Sequence, residues 1–265
     1  MSLLEINDNE VLEGLALVNC KSLVLEDNMI ISQALIGAQR VAVVVMGATG
    51  TEPAVSGLVG PEMADIAVVG NQEAAPGPTA VLKALELADR GQGVLFVVLN
   101  NAGDILTSNI VLAQAEKQGL NISRVIIRDN IIEGEEQIAE LRQGLVGVMP
   151  VLKLAAKAAS AGKTLAEVAE LAQALADNEA SYLVKVADVK EGFVAEDIVA
   201  LALPKLEGVL QLESEQKLLL IVNGNDIASV REQLAIYRSA VLTLMNKGYS
   251  VVVGEAGDYF TGLTD

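Results

Sequence analysis

An uninterrupted apolar run, Val41-Ala42-Val43-Val44-Val45-Met46, stops abruptly at Gly47-Ala48-Thr49-Gly50-Thr51-Glu52-Pro53. With no polar position to mark a solvent face, and with β-branched residues dominating, the run predicts a strand buried on both sides. The glycines predict a tight turn. Pro53 predicts a helix starting there, because proline's missing N–H costs nothing in a first helical turn. In open α/β sheets such loops lie at the carboxyl edge, where ligands bind.

The rest of the chain repeats this grammar. An amphipathic helix over 9–18 precedes a strand near 22–25 and an irregular stretch. A short helix over 53–60 is followed by a strand over 65–69. The run Ala74-Ala75-Pro76-Gly77-Pro78 breaks the chain before a helix over 79–90, whose apolar side is Val81, Leu82, Ala84, Leu85 and Leu87. A strand over 93–99 turns through Asn100-Asn101-Ala102-Gly103-Asp104 into a helix over 105–118 closed by Gly119, and a strand covers 123–128. This alternation predicts a largely parallel sheet with right-handed crossovers. Helical patterns dominate 133–177, with a capping box from Thr164 to Glu167. A short strand over 181–186, a helix over 195–202 closed by Pro204, and a βαβ unit (217–223, 227–247, 249–253) complete the reading. The expected class is α/β: a largely parallel sheet with flanking helices over 1–177, and a second, smaller α/β portion over 178–265.

Composition narrows the function classes. Hydrophobic residues make up 52% of the 265 positions and aromatics 3%, so the core is aliphatic. No apolar run reaches the roughly 18 residues of a membrane span. The amino terminus lacks the pattern of a signal peptide, and the lone Cys20 suits a reducing compartment, so a cytoplasmic protein is expected. A formal charge of −17 disfavours direct nucleic-acid binding, which needs clustered Lys and Arg, and leaves a basic protein partner open. The chain contains no histidine. Every His-based triad, metal site and nucleophile is thereby removed, no metal or cofactor is expected, and any catalysis would rest on carboxylates, lysines or hydroxyls.

Gly47-Ala48-Thr49-Gly50 has the look of a phosphate cradle. A dinucleotide fingerprint, however, wants glycine where Pro53 stands, and a Walker loop wants a lysine that is missing. A turn that needs glycine only for its backbone shape fits better than either. Asp104 is either a helix N-cap or a carboxylate aimed into the cleft that accepts a proton from a bound hydroxyl. The 75–78 loop would close a third wall.

In order along the chain, these loops resemble the substrate-binding subunit of bacterial dihydroxyacetone (glycerone) kinases. That family shows Gly-Gly-Gly-Ser-Gly-His-Glu-Pro where this chain has Met46-Gly47-Ala48-Thr49-Gly50-Thr51-Glu52-Pro53. Gly57-Leu58-Val59-Gly60 matches its Gly-x-hydrophobic-Gly. Leu99-Asn100-Asn101-Ala102-Gly103-Asp104-Ile105-Leu106 resembles its Lys-Asn-Tyr-Thr-Gly-Asp-Ile-Leu. Later matches are Arg142-Gln143-Gly144 with the Lys153–Ala159 stretch, Leu220-Ile221-Val222-Asn223, and Gly257-Asp258-Tyr259-Phe260-Thr261-Gly262-Leu263.

The resemblance implies Gly47, Ala48, Gly50, Thr51, Asn100 and Gly103 as substrate-binding positions, and Asp104 as proton acceptor. It also implies a homodimer. The departures matter as much. In the family a histidine forms a covalent hemiaminal with the ketone, and this chain has none. The loop histidine is replaced by Thr51, the lysine by Leu99, the aromatic by Asn101 and the serine of the Pro loop by Ala75. Losing several anchors worth roughly 1–3 kcal/mol each weakens substrate binding severely. The expectation is a divergent paralogue without the substrate-binding histidines: a non-catalytic ligand-binding or co-regulatory subunit. Its expected partners are a small ketose or polyol and either a transcription factor or a nucleotide-binding kinase subunit. Two alternatives stand beside it: an active kinase component holding a polyol or sugar non-covalently with Asp104 as base, and nucleotide binding at 47–50.

Overall fold

The computed structural model describes residues 5–72, 74–131, 138–213 and 215–263. Helix α1 (Asp8–Val18) leads into an antiparallel hairpin of β1 (Leu23–Glu26) and β2 (Met29–Ser32). The sequence pattern predicts irregular chain after β1. A second strand forms because Met29 and Ile30 find a buried partner edge on β4 (Ile66–Gln72).

The apolar run around residue 44 becomes β3 (Ala42–Thr49), and β5 (Val94–Leu99) and β6 (Ile122–Ile127) complete a six-stranded sheet of order β1-β2-β4-β3-β5-β6. The pairs β4–β3, β3–β5 and β5–β6 are parallel. Alternation along the strands feeds two cores. Val43, Val45, Leu95 and Val97 face α4 (Val148–Ser160) and α5 (Leu165–Ala176). Val44, Met46, Phe96 and Val98 face α2 (Pro78–Ala88) and α3 (Ala102–Gln118). The class is α/β with a mostly parallel sheet and flanking helices. Among the described residues no helix is long and apolar enough to cross a membrane.

Four local expectations are corrected. No helix starts at Pro53; only a 3-10 turn, Ser56–Leu58, lies between β3 and β4. The carbonyls a first turn would use are engaged elsewhere: Glu52 O accepts from Thr261 Oγ1 at 2.6 Å and Ala54 O from Thr51 Oγ1 at 2.8 Å. Residues 138–147 are not helical beyond a 3-10 turn at Ala139–Leu141, and 133–137 of that predicted helix lie outside the described residues. Here Asn100 Nδ2 donates to the carbonyls of Glu140 (2.9 Å) and Arg142 (2.6 Å), taking groups a helix would need. The expected strand at 181–186 shrinks to one bridge between Ser181 and Asn130. Helix α6 (Ala195–Leu210) runs through Pro204 instead of ending there. Ala200, whose carbonyl loses its donor, is exposed, so water can satisfy it.

Strands β7 (Lys217–Asn223) and β8 (Ser250–Gly257) form a separate parallel pair, with α6 and α7 (Val230–Asn246) packed on it around Val199, Leu203, Ala240 and Leu244. Phe260 joins this part to the main core. Only 4% exposed, it belongs to the cluster on the α4–α5 side, with Ile221, Tyr259 and Leu263 against it. Phe260→Ala is expected to cost about 3 kcal/mol and to speed hydrogen exchange in β7 and β8 more than in β3 and β5. Uniform acceleration throughout would show that Phe260 does not act as this anchor.

Candidate functional site

Strands β4, β3 and β5 are neighbours, so the loops at their carboxyl ends lie side by side. Gly47 sits inside β3, where a Cβ would press to 3.1 Å from both methyls of Val55. Its bareness lets the 53–57 segment fold back over the strand end. Ala48 follows, half-buried, still in the strand. Gly50 has φ +94, a left-handed conformation that favours glycine. Its N–H donates to the Glu52 carboxylate at 3.0–3.1 Å. The Thr51 hydroxyl turns into its own loop, donating to Ala54 O. The loops also touch each other. A Cβ on Gly50 would lie 3.3 Å from Gln72, and one on Gly103 would lie 3.1 Å from Ala75 Cβ.

Because no helix follows β3 directly, the helix N-terminus on which dinucleotide and Walker loops seat phosphate has no counterpart at 47–53.

A fourth segment completes the rim, and sequence reasoning did not place it there. Asn223 Oδ1 accepts from the N–H groups of Tyr259 (2.8 Å) and Phe260 (3.0 Å), and its Nδ2 donates to Phe260 O at 2.7 Å. Asn225 grips Leu263 in the same two-way manner, at 2.8 and 3.0 Å. The turn so held delivers Thr261 to the glycine loop: its N–H donates to Thr51 O at 3.2 Å and its hydroxyl to Glu52 O. Gly262 packs so tightly on Gly50 O that no Cβ fits. The available signal was a pair of asparagines at the end of an apolar strand, the pattern of a strand-end loop.

Asn100, Gly103 and Asp104 lie at the end of β5, but the side chains of Asn100 and Asp104 diverge. Asn100 points away, holding the 140–142 segment. Asp104 is in the first turn of α3, whose N-cap is Asn101, so its expected capping role is not what the fold uses. It is 4% exposed. Its Oδ2 accepts from Asn101 Nδ2 at 3.1 Å, while buried Oδ1 has no partner. Burial raises its pKa to about 6, against the opposing pull of Asn101.

A pair of carboxyl groups frames the segment Asn100 holds. Asp129, fully buried after β6, accepts from the N–H groups of Leu145 (2.6 Å) and Gly147 (3.0 Å). Gly147 is hemmed in by Glu179, whose oxygen would stand 2.6 Å from a Cβ there. Burial first, then the charge of Asp129, pushes Glu179 up to about 9, so it carries a proton at neutral pH.

The Dak1 domain pattern matches residues 13–191. The chain belongs to the Dak1 domain family. It is 27% identical to the dihydroxyacetone-binding subunit DhaK of a PTS-dependent dihydroxyacetone kinase 2 from Listeria innocua, over 90% of this chain and 81% of that one. Solved structures share the fold. The dihydroxyacetone kinase operon co-activator DhaQ superposes with TM-score 0.85 at 21% identity, covering 96% of this chain and 88% of the other. The dihydroxyacetone kinase of C. freundii superposes with TM-score 0.80 at 24% identity, over 96% of this chain and 55% of that one. This Dak1 chain is thus like a dihydroxyacetone-kinase substrate-binding subunit in sequence and fold.

The state of Asp104 makes a prediction. Its folded pKa of about 6 exceeds the unfolded value of 3.8, so the folded state holds the proton more tightly. Its contribution to stability is complete below about pH 4 and is lost as pH rises towards 6. Asp104→Asn is therefore expected to be more stable than the parent at pH 7, by roughly 3 kcal/mol, with most of the difference gone by pH 4. Denaturant unfolding across that range checks it, and parallel pH profiles would refute it.

Proposed function

We propose that this Dak1 chain is a non-catalytic, ligand-binding or co-regulatory subunit that keeps the scaffold of a ketone-binding kinase subunit without its covalent chemistry. The observation that carries the reading is chemical: a chain with no histidine cannot form a histidine hemiaminal. At the loop position where the resemblance expects one, the Thr51 hydroxyl is already spent on Ala54 O. The unpartnered Oδ1 of Asp104 supports a hydroxyl-bearing ligand, a small ketose or polyol, as its missing donor. The shared fold of the DhaQ co-activator supports a regulatory partner, a transcription factor, ahead of a nucleotide-binding kinase subunit. In this reading residues 1–177 carry the ligand loops, residues 178–265 form the smaller unit, and the chain works as a cytoplasmic homodimer.

The purified chain, mixed with a nucleotide-binding kinase subunit, ATP and Mg²⁺, is expected to leave dihydroxyacetone unphosphorylated in a coupled assay. Turnover above the level of the kinase subunit alone would refute the reading.

One observation favours a second reading, an active component using a non-covalently held polyol or sugar. A carboxyl group titrating at about 6 is well matched to a general base near neutral pH. If that holds, Asp104→Asn abolishes phosphorylation of the polyol while the folded protein gains stability; an equally active variant excludes it.

A further inference from the structure

Two arginines lie on one face of the edge strand, in a chain whose acids outnumber its bases 35 to 18. Arg124 pairs in register with Phe96, which faces the α2–α3 side of the sheet. Arg128 follows four residues later, at the same alternation, where β6 ends. Arg124 is half-buried, and one guanidinium nitrogen donates to Ser108 Oγ at 2.8 Å and to Asn109 Oδ1 at 2.7 Å, both neutral acceptors on α3. Arg128 has a fully buried Nε without an acceptor, and no hydrogen bond or ion pair to a described residue. Burial, and then the charge of Arg128, lowers the proton affinity of Arg124. The two cations are near enough to repel, and neither has a carboxylate among the described residues.

With no carboxylate partner among the described residues, this arrangement is unfavourable: buried charges are ordinarily paired. Guanidinium groups are forked donors whose geometry fits an oxyanion. The net charge of −17 opposes the approach of an extended acidic macromolecule and opposes a small anion far less. We propose that Arg124 and Arg128 form a binding site for the phosphoryl group of a small molecule, on the β6 flank of α3. The site does not use Asp104, and nothing in it depends on the ligand or regulatory reading above.

Arginines on an edge strand can also serve to block pairing with a second sheet. Such guards stay in water, whereas here one guanidinium is fastened to the helix and the other has its Nε buried.

The test uses the intact chain with inorganic phosphate and phenyl phosphate as probes, read by isothermal titration calorimetry at constant ionic strength, with chloride as reference. Saturable binding of at least one probe is expected, weakened roughly tenfold or more in Arg128→Gln. Tighter binding of phenyl phosphate would identify a phosphomonoester as the ligand class, and tighter binding of inorganic phosphate the free ion. Arg128 has no bond to a described residue to lose, so its variant is expected to keep the fold, and relief of repulsion should raise its melting temperature in the absence of phosphate. Heats no different from chloride, or equal binding by the variant, would overturn the site. So would a variant that self-associates on ultracentrifugation while phosphate has no effect on the parent, because the arginines would then be guarding the strand edge.

Discussion

Burial of β3 on both faces is the constraint from which the rest follows. From Ala42 to Met46 its side chains all enter apolar cores and leave no room for a polar group, so polar chemistry is displaced to the strand's two ends. The ends differ. At the amino end, Asp65, 1% exposed, accepts from Val43 N–H at 2.8 Å and from the fork of Arg40 at 2.7 and 2.9 Å. Every charge there has its partner. At the carboxyl end a buried carboxylate oxygen of Asp104 has none. The same sheet therefore has one end closed by internal satisfaction and one end left chemically incomplete.

The carboxyl end is also where the chain is least local. The glycine loop takes hydrogen bonds from Thr261, about two hundred residues later, and that turn is itself held by Asn223 and Asn225. Buried Asp129 performs a comparable task for the turn before α4, gathering two N–H groups that would otherwise lie buried and unpaired. Around the rim, side chains satisfy backbone groups across long sequence separations, and this fixes loop shapes that short-range propensity does not specify.

That division explains what could be read from the sequence. Strands β3, β5 and β7, the capping box at Thr164, and the left-handed Gly119 closing α3 depend on composition and nearest neighbours, and all are legible. The helix expected at Pro53 and most of that expected over 133–147 follow the same local rules and are overruled: Thr261, Asn100 and Asp129 claim backbone groups those helices would need. In the candidate site the loops and their order were legible, because glycines and strand ends mark them. The directions of Asn100 and Thr51 were not, since each is set by an acceptor no spacing rule identifies.

The glycine loop and Asp104 carry different information about function. The loop is held by the Gly50–Glu52, Thr51–Ala54 and Thr261–Glu52 bonds, all internal, so its shape persists with or without a ligand. Its survival says little about use. Asp104 caps nothing, forms no ion pair among the described residues, and keeps one buried oxygen unpaired while its charge is disfavoured by burial. Fold stability does not account for such a group, and an amide of the same shape would serve the packing better at neutral pH. A donor supplied from outside, such as a ligand hydroxyl, would satisfy it. The case for a ligand therefore rests on the residue that costs the fold stability, and the glycines that first draw the eye supply only its frame.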